Sequence, residues 1–212
     1  MLPALLKGGF YHAGQVCVSV QRVFVHEEIC DDVAQRLAAM AKELIVGDPL
    51  DEKTEVGPLI MPGEVDRVEQ WVNEAVEKGA VLLCGGRRLS DFHYAPTVLL
   101  NPPEDCKVSI QEVFGPVVCI FSYTDRNTAI KQANALPYAF QASVFTDNLN
   151  ASMEIVKKLN ATAVMVNDHT AFRVDWMPFG GRDESGIGMG GIPYSMEEMT
   201  RTKMMVIKNK HL

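Results

Sequence analysis

The sequence contains no Cys-x-x-Cys pair, and its five cysteines, Cys17, Cys30, Cys84, Cys106 and Cys119, are odd in number and widely spaced. Neither a zinc site nor a disulfide framework is built from such a set, so no metal is expected and the thiols read as reduced ones. Long apolar runs are also missing: stretches such as Val117 to Phe121 and Ala163 to Val166 fall far short of the ~20 residues that span a bilayer. The first residues show neither the cationic start nor the cleavage site of a secretory leader, so a cytoplasmic location is expected. Positive charge is in deficit, with 20 Lys and Arg against 27 Asp and Glu and a formal charge of -7. Without a basic stripe interleaved with aromatics, nucleic acid is excluded as a partner class, and so is a membrane.

What is present is an ordinary globular content, 47% apolar and 22% charged over 212 residues. That is enough to bury a core, and residues 1–212 read as one domain. Glu27 to Leu44 sets Ile29, Val33, Leu37, Met40, Ala41 and Leu44 on one helical face, with Glu27 and Glu28 suited to the positive end of the dipole. Glu64 to Lys78 repeats the pattern with Val65, Val68, Trp71, Val72, Ala75 and Val76, and Gly79 stands where a helix C-cap belongs. Between them, Gly47 to Gly63 reads as a long surface connection. Shorter helices are predicted over Arg126 to Ala135, Ala151 to Leu159 and Tyr194 to Thr200. Leu2 to Phe10 is helical and apolar yet arrives without a strand to feed it, which reads as a cut end.

Runs dense in β-branched and apolar residues fall between the helices: Val20 to Val25, Ala80 to Cys84, Thr97 to Leu100, Val117 to Tyr123, Ala142 to Phe145, Ala163 to Val166 and Met204 to Ile207. Several lack polar alternation. The fold class predicted is α/β, an open twisted, mainly parallel sheet covered by helices on both faces.

Cys17 lies between a helix and a strand, where its sulfur would project from a loop at a sheet edge, the kind of place where α/β proteins put their sites. Only the thiolate is a strong nucleophile, and a buried structural thiol is the default reading of a lone cysteine. On local grounds Glu112 is a solvated turn residue, Phe114 a core aromatic and Phe179 an aromatic beside glycines. His12, five residues before Cys17, leaves a cysteine hydrolase open, although such pairs meet in space rather than along the chain. Gly186-Ile187-Gly188-Met189-Gly190-Gly191 satisfies G-x-G-x-x-G but follows a polar loop and precedes Pro193, so it is not read as a dinucleotide cradle.

Read together and in order, Phe10 to Cys17 with Arg22-Val23-Phe24-Val25, Gln111-Glu112-Val113-Phe114-Gly115-Pro116-Val117, Asn167, Pro178-Phe179-Gly180-Gly181 and Ser185-Gly186-Ile187-Gly188 closely resemble the NAD(P)-dependent aldehyde dehydrogenase superfamily, over essentially the whole chain. The resemblance implies that Cys17 is the catalytic nucleophile, forming a thiohemiacetal and then a thioester. It implies that Glu112 holds the ribose hydroxyls of NAD or NADP beside Phe114, that Phe179 lines the substrate entrance, and that Asn167 supports the active-site loops. Arg173, in the loop Asp168 to Met177 bordering that entrance, suits a small anionic or hydroxylated aldehyde, unless it pairs with Asp168 or Asp175. The C-terminal strand, Lys203 to Lys208, implies a homo-oligomer. The family's general base in a Glu-Leu-Gly-Gly word, its side-chain oxyanion donor and its cofactor-binding domain are absent from the chain. The expectation is therefore the catalytic domain of a longer enzyme, inactive alone, with a non-enzymatic structural or oligomerisation module as the alternative.

Overall fold

The central strand shows why the sheet forms. In the computed structural model, which describes residues 1–210, β4 (Val117–Tyr123) begins with four consecutive buried residues, Val117 to Ile120. A strand without polar alternation must be covered on both faces. It runs parallel to β1 (Arg22–His26) on one side and β3 (Thr97–Leu100) on the other, and β2 (Val81–Cys84) closes the edge antiparallel to β3, in the order β1-β4-β3-β2.

Alternate residues of β4 identify what lies on each face. On the Val118 side, Gly9 of α1 (Leu2–Phe10) approaches so closely that a Cβ there would meet Val118 Cγ2 at 2.5 Å. On the same side the Cys30 thiol of α2 (Glu27–Lys42) interacts with Ser122. On the opposite side, Cys119 Sγ donates to the Val108 carbonyl of α4 (Lys107–Ile110) at 3.8 Å. Arg22, the register partner of Cys119, there donates at 3.3 and 3.1 Å to the Gln132 and Ala133 carbonyls, at the end of α5 (Arg126–Ala133).

The two long helices form where the apolar spacing places them, with one rotation. In α2 the buried stripe is Cys30, Val33, Ala34, Leu37, Ala38 and Ala41, while Ile29 is 52% exposed. Small Ala34 and Ala38 let the helix approach the sheet closely, which turns Ile29 outward. In α3 (Pro62–Glu77), Val65, Val68, Val72 and Ala75 are buried, Pro62 opens the first turn and Gly79 follows the end at φ 109. The Gly47 to Gly63 connection is mostly turns and bends, pinned by buried Val56 and Leu59.

After α5 come β5 (Tyr138–Ala139), β6 (Gln141–Val144), α6 (Leu149–Lys158), β7 (Ala163–Val166), β8 (Arg182–Asp183) and α7 (Ile192–Glu198). β6 and β7 pair parallel, and β5 and β8 antiparallel, as two further small sheets. One predicted strand is not found: Met204 to Ile207 carries no regular structure and no partner, its residues 66–83% exposed. A strand needs a neighbour for its backbone groups, and none lies beside this segment among the described residues. No helix of the described residues is long and apolar enough to cross a membrane.

Candidate active site

The loop carrying Cys17 is held in a backbone conformation that few sequences tolerate. Beyond α1, His12, Ala13 and Gly14 have successive φ values of 50, 55 and 72°. Non-glycine residues held there cost about 1–3 kcal/mol each and persist only where the surroundings impose them. The Gln15 side chain is one restraint, donating to the Pro58 carbonyl at 3.1 Å and accepting from Ile60 N–H at 2.9 Å. The Gly8 carbonyl is another, accepting from Val20 N–H at 2.9 Å and from the Ser19 hydroxyl at 3.1 Å.

Cys17, at the tip, is exposed, whereas the other four cysteines are buried. The default reading of a packed thiol therefore holds for those four and not for Cys17. Burial raises the Cys30, Cys84 and Cys106 thiols and pushes Cys119 up to about 12, with Arg22 opposing at Cys119. His12 turns its ring to Tyr11, centroids 5.2 Å apart.

A second loop, Gln111 to Pro116, lies against the first. A Cβ at Gly14 would fall 2.1 Å from the Gly115 carbonyl oxygen, so backbone meets backbone where no side chain fits. Gln21, just before β1, grips this loop with its whole amide: Nε2 donates to the Val108 and Gln111 carbonyls at 2.9 and 2.7 Å, and Oε1 accepts from Val113 N–H at 2.9 Å. Arg67 of α3 donates to the Val113 carbonyl at 2.6 Å and lies over Trp71 at 4.5 Å. Glu112 and Phe114 are thereby displayed rather than packed. Phe114 sits at φ 48° and is 41% exposed, so it is not the core aromatic that local sequence suggests. Desolvation raises the Glu112 carboxyl, opposed by Arg67, although the residue as a whole is exposed. An exposed carboxylate can accept two hydrogen bonds from a diol with an aromatic face beside it, which fits a nucleotide ribose.

Both loops stand at the amino ends of parallel strands β1 and β4, and a third comes from the carboxyl end of β7. Asn167, at φ 61°, accepts from Thr146 N–H at 2.9 Å and donates to the Thr146 carbonyl at 3.0 Å, fixing where the chain leaves β7. Thr170 then donates to the Val18 carbonyl at 2.6 Å, one residue beyond Cys17. Arg173 stacks on Phe179 at 4.0 Å, and Phe179 meets Phe140 edge-on at 4.9 Å. Asp168 is engaged with His169 instead, accepting its N–H at 2.7 Å. This loop and α1 enclose a cleft of about 510 Å³ lined by Lys7, Tyr11, Asp168, His169, Phe172 and Arg173. Burial raises the Tyr11 phenol in the cleft lining, and Cys17 adds to the rise.

The glycines of residues 186–191 serve a chain return rather than a phosphate cradle. Phe179 and Gly190 exchange hydrogen bonds of 3.0 and 2.7 Å, which holds Phe179 in place. Sequence reasoning singled out Cys17, Glu112, Phe114, Arg173 and Phe179 and passed over Gln15, Gln21 and Thr170, polar residues whose partners lie far along the chain. It also passed over Lys7 and Tyr11, which the last turn of α1 and its C-cap bring together, Tyr11 N–H bonding to the Lys7 carbonyl.

Comparison with known proteins finds similarity over nearly the whole chain. The model of the aldehyde dehydrogenase family covers residues 1–205. A 3-sulfolactaldehyde dehydrogenase of Priestia aryabhattai is 44% identical over 198 residues, 93% of this chain and 41% of its own. Aldehyde dehydrogenase 21 of Physcomitrella patens, solved with its reaction product succinate, superposes with a TM-score of 0.94 at 38% identity, covering 99% of this chain and 43% of that one. The glyceraldehyde-3-phosphate dehydrogenase GapN of Methanocaldococcus jannaschii, solved with NADP, does so with a TM-score of 0.89 at 40% identity, covering 93% and 43%. The chain thus spans well under half the length of these proteins.

Proposed function

We propose that this chain, which belongs to the aldehyde dehydrogenase family, is the thiol-bearing catalytic part of an NAD- or NADP-dependent enzyme that oxidises a small aldehyde to its acid. One observation carries the reading. Cys17, the exposed thiol, stands on a loop locked by Gly14 and Gln21 to the loop displaying Glu112 and Phe114.

In this reading the Cys17 thiolate adds to the aldehyde carbon, and the carbonyl π pair moves onto oxygen to give a thiohemiacetal. The Cys17 backbone N–H is one donor for that oxygen. Oxidised NAD(P), held at Glu112 and Phe114, would supply the acceptor for the hydride lost from the tetrahedral carbon. As the hydride leaves, the oxygen lone pair re-forms the C=O π bond, leaving a thioester on Cys17. Attack by water or coenzyme A then releases the acyl group and returns the thiol. Glu112 would accept hydrogen bonds from the ribose diol and Phe114 would flank it, orienting the cofactor toward the sulfur.

The Glu-Leu-Gly-Gly word of the family's general base does not occur in the sequence. Lack of such a base costs about a hundred- to ten-thousandfold in rate. The activity is accordingly assigned to a longer protein carrying this chain, and the 212 residues alone are expected to be inactive. Three similar proteins carry an oxyanion in the compound they are named or solved with: sulfonate in sulfolactaldehyde, carboxylate in succinate and phosphate in glyceraldehyde 3-phosphate. Arg173, stacked on Phe179 and turned into the cleft lining, suits such a tail. The bare apolar segment Met204 to Ile207 supports pairing between copies of the chain.

The test is Cys17→Ser in the full-length protein. Aldehyde oxidation should fall by at least a thousandfold while NAD(P) binding persists. Retained oxidation would overturn the reading.

A further inference from the structure

The 510 Å³ cleft holds two cations, not one. Lys7 stands in the last turn of α1, exposed, on the wall facing the Arg173 loop. Neither cation has a carboxylate partner among the described residues. The nearest acid in the lining, Asp168, lies 3.9 Å from His169 Nε2 and accepts the His169 N–H. Arg173 spends one face of its guanidinium on Phe179, which fixes the plane and leaves its N–H edge free. Two cations against one carboxylate leave the cleft lining net positive, which favours a bound anion. Tyr11 lines the same cleft, and Thr170 of the Arg173 loop donates to the Val18 carbonyl at 2.6 Å, which holds this loop beside the residue next to Cys17.

We propose that Lys7 is a specificity-determining residue that, together with Arg173, grips a terminal oxyanion on a short aldehyde whose carbonyl carbon reaches Cys17. The proposal rests on the reading of Cys17 and Arg173 above and adds Lys7 to it. Geometry sets the division of labour: the planar Arg173 fork fixes orientation, and the flexible ammonium follows the oxyanion as the carbonyl seats against the sulfur. An uncharged aldehyde of equal length gains nothing from either group.

The experiment compares 3-sulfolactaldehyde and glyceraldehyde 3-phosphate with neutral lactaldehyde in the full-length enzyme carrying this chain, before and after Lys7→Ala and Lys7→Arg. Lys7→Ala should raise KM for the charged aldehydes about three- to tenfold, the range for a partly solvated charge contact. It should leave kcat and the lactaldehyde parameters within twofold, and Lys7→Arg should restore most of the loss. The larger of the two shifts identifies sulfonate or phosphate as the preferred oxyanion. A second readout needs no turnover: 3-sulfolactate should slow alkylation of Cys17 by iodoacetamide more than lactate does, and Lys7→Ala should abolish that difference. An equal effect of Lys7→Ala on charged and neutral aldehydes, or none on either, overturns the role of Lys7 alone. An unsubstituted enzyme that oxidises none of the three aldehydes overturns the underlying reading instead.

Discussion

Replacing Gly14 by Ala probes the contact on which the site depends. Gly14 has φ 72°, and an added Cβ would lie 2.1 Å from the Gly115 oxygen and 2.5 Å from its carbonyl carbon. The left-handed conformation costs an L-residue about 1–2 kcal/mol. Both neighbours are backbone atoms, so relieving the overlap means moving one loop away from the other, about 1–3 kcal/mol by the measure of overpacked cores. The sum is about 2–5 kcal/mol, which lowers Tm by roughly 4–20 °C in a domain of this size. Thermal melts followed by circular dichroism give the shift. Gly63→Ala is the control, because nothing lies within 4 Å of a Cβ there and the residue opens α3 without a positive φ. The control should melt no lower than the unsubstituted chain and at most about 4 °C above it, since Ala is the better helix former by no more than about 1 kcal/mol. A Gly14→Ala variant that melts like the control would show that the two loops are not locked at this point.

Iodoacetamide labelling of the folded chain, mapped by mass spectrometry, should modify Cys17 well before the four buried cysteines, and a slower Cys17 would contradict its exposed placement. Stability should also fall in alkali. The folded Cys119 thiol, near 12, lies above its ordinary 9.0, so its contribution is intact below pH 9 and is lost as pH rises from 9 towards 12. Urea midpoints across that window should decline, and Cys119→Val should lessen the decline; an unchanged slope would remove Cys119 as a cause. Light scattering should show self-association that Met205→Lys with Ile207→Lys abolishes, whereas a monomer at high concentration would exclude pairing through the bare segment.

Much of the fold is legible because burial imposes period. The Val65, Val68, Val72, Ala75 stripe of α3 and the unbroken Val117 to Ile120 run of β4 could each take only one form. Where two neighbouring faces are both apolar the period fails to choose, which is why Ile29 turned outward and Cys30 inward. Four-residue α4 and two-residue β5 and β8 are too short to carry a period. Met204 to Ile207 has the composition of a strand but no neighbour, and a strand is a property of a pair.

At the site, the motif residues are visible one by one, but what unites them is not. Gln21 reaches Val113 across 92 positions, and Thr170 reaches Val18 across 152. Each is a polar side chain bonded to a distant backbone group, which leaves no local pattern. Phe114 reads as core because aromatics usually are, until its φ of 48° turns it outward.

The central claim is that Cys17 carries the acyl group. Full-length enzyme mixed with aldehyde and NAD(P), quenched in acid within the first turnover and digested, should yield a Cys17 peptide heavier by the acyl mass and labile to hydroxylamine. An acyl adduct on any other residue, or turnover with Cys17 unmodified at every quench time, would contradict it.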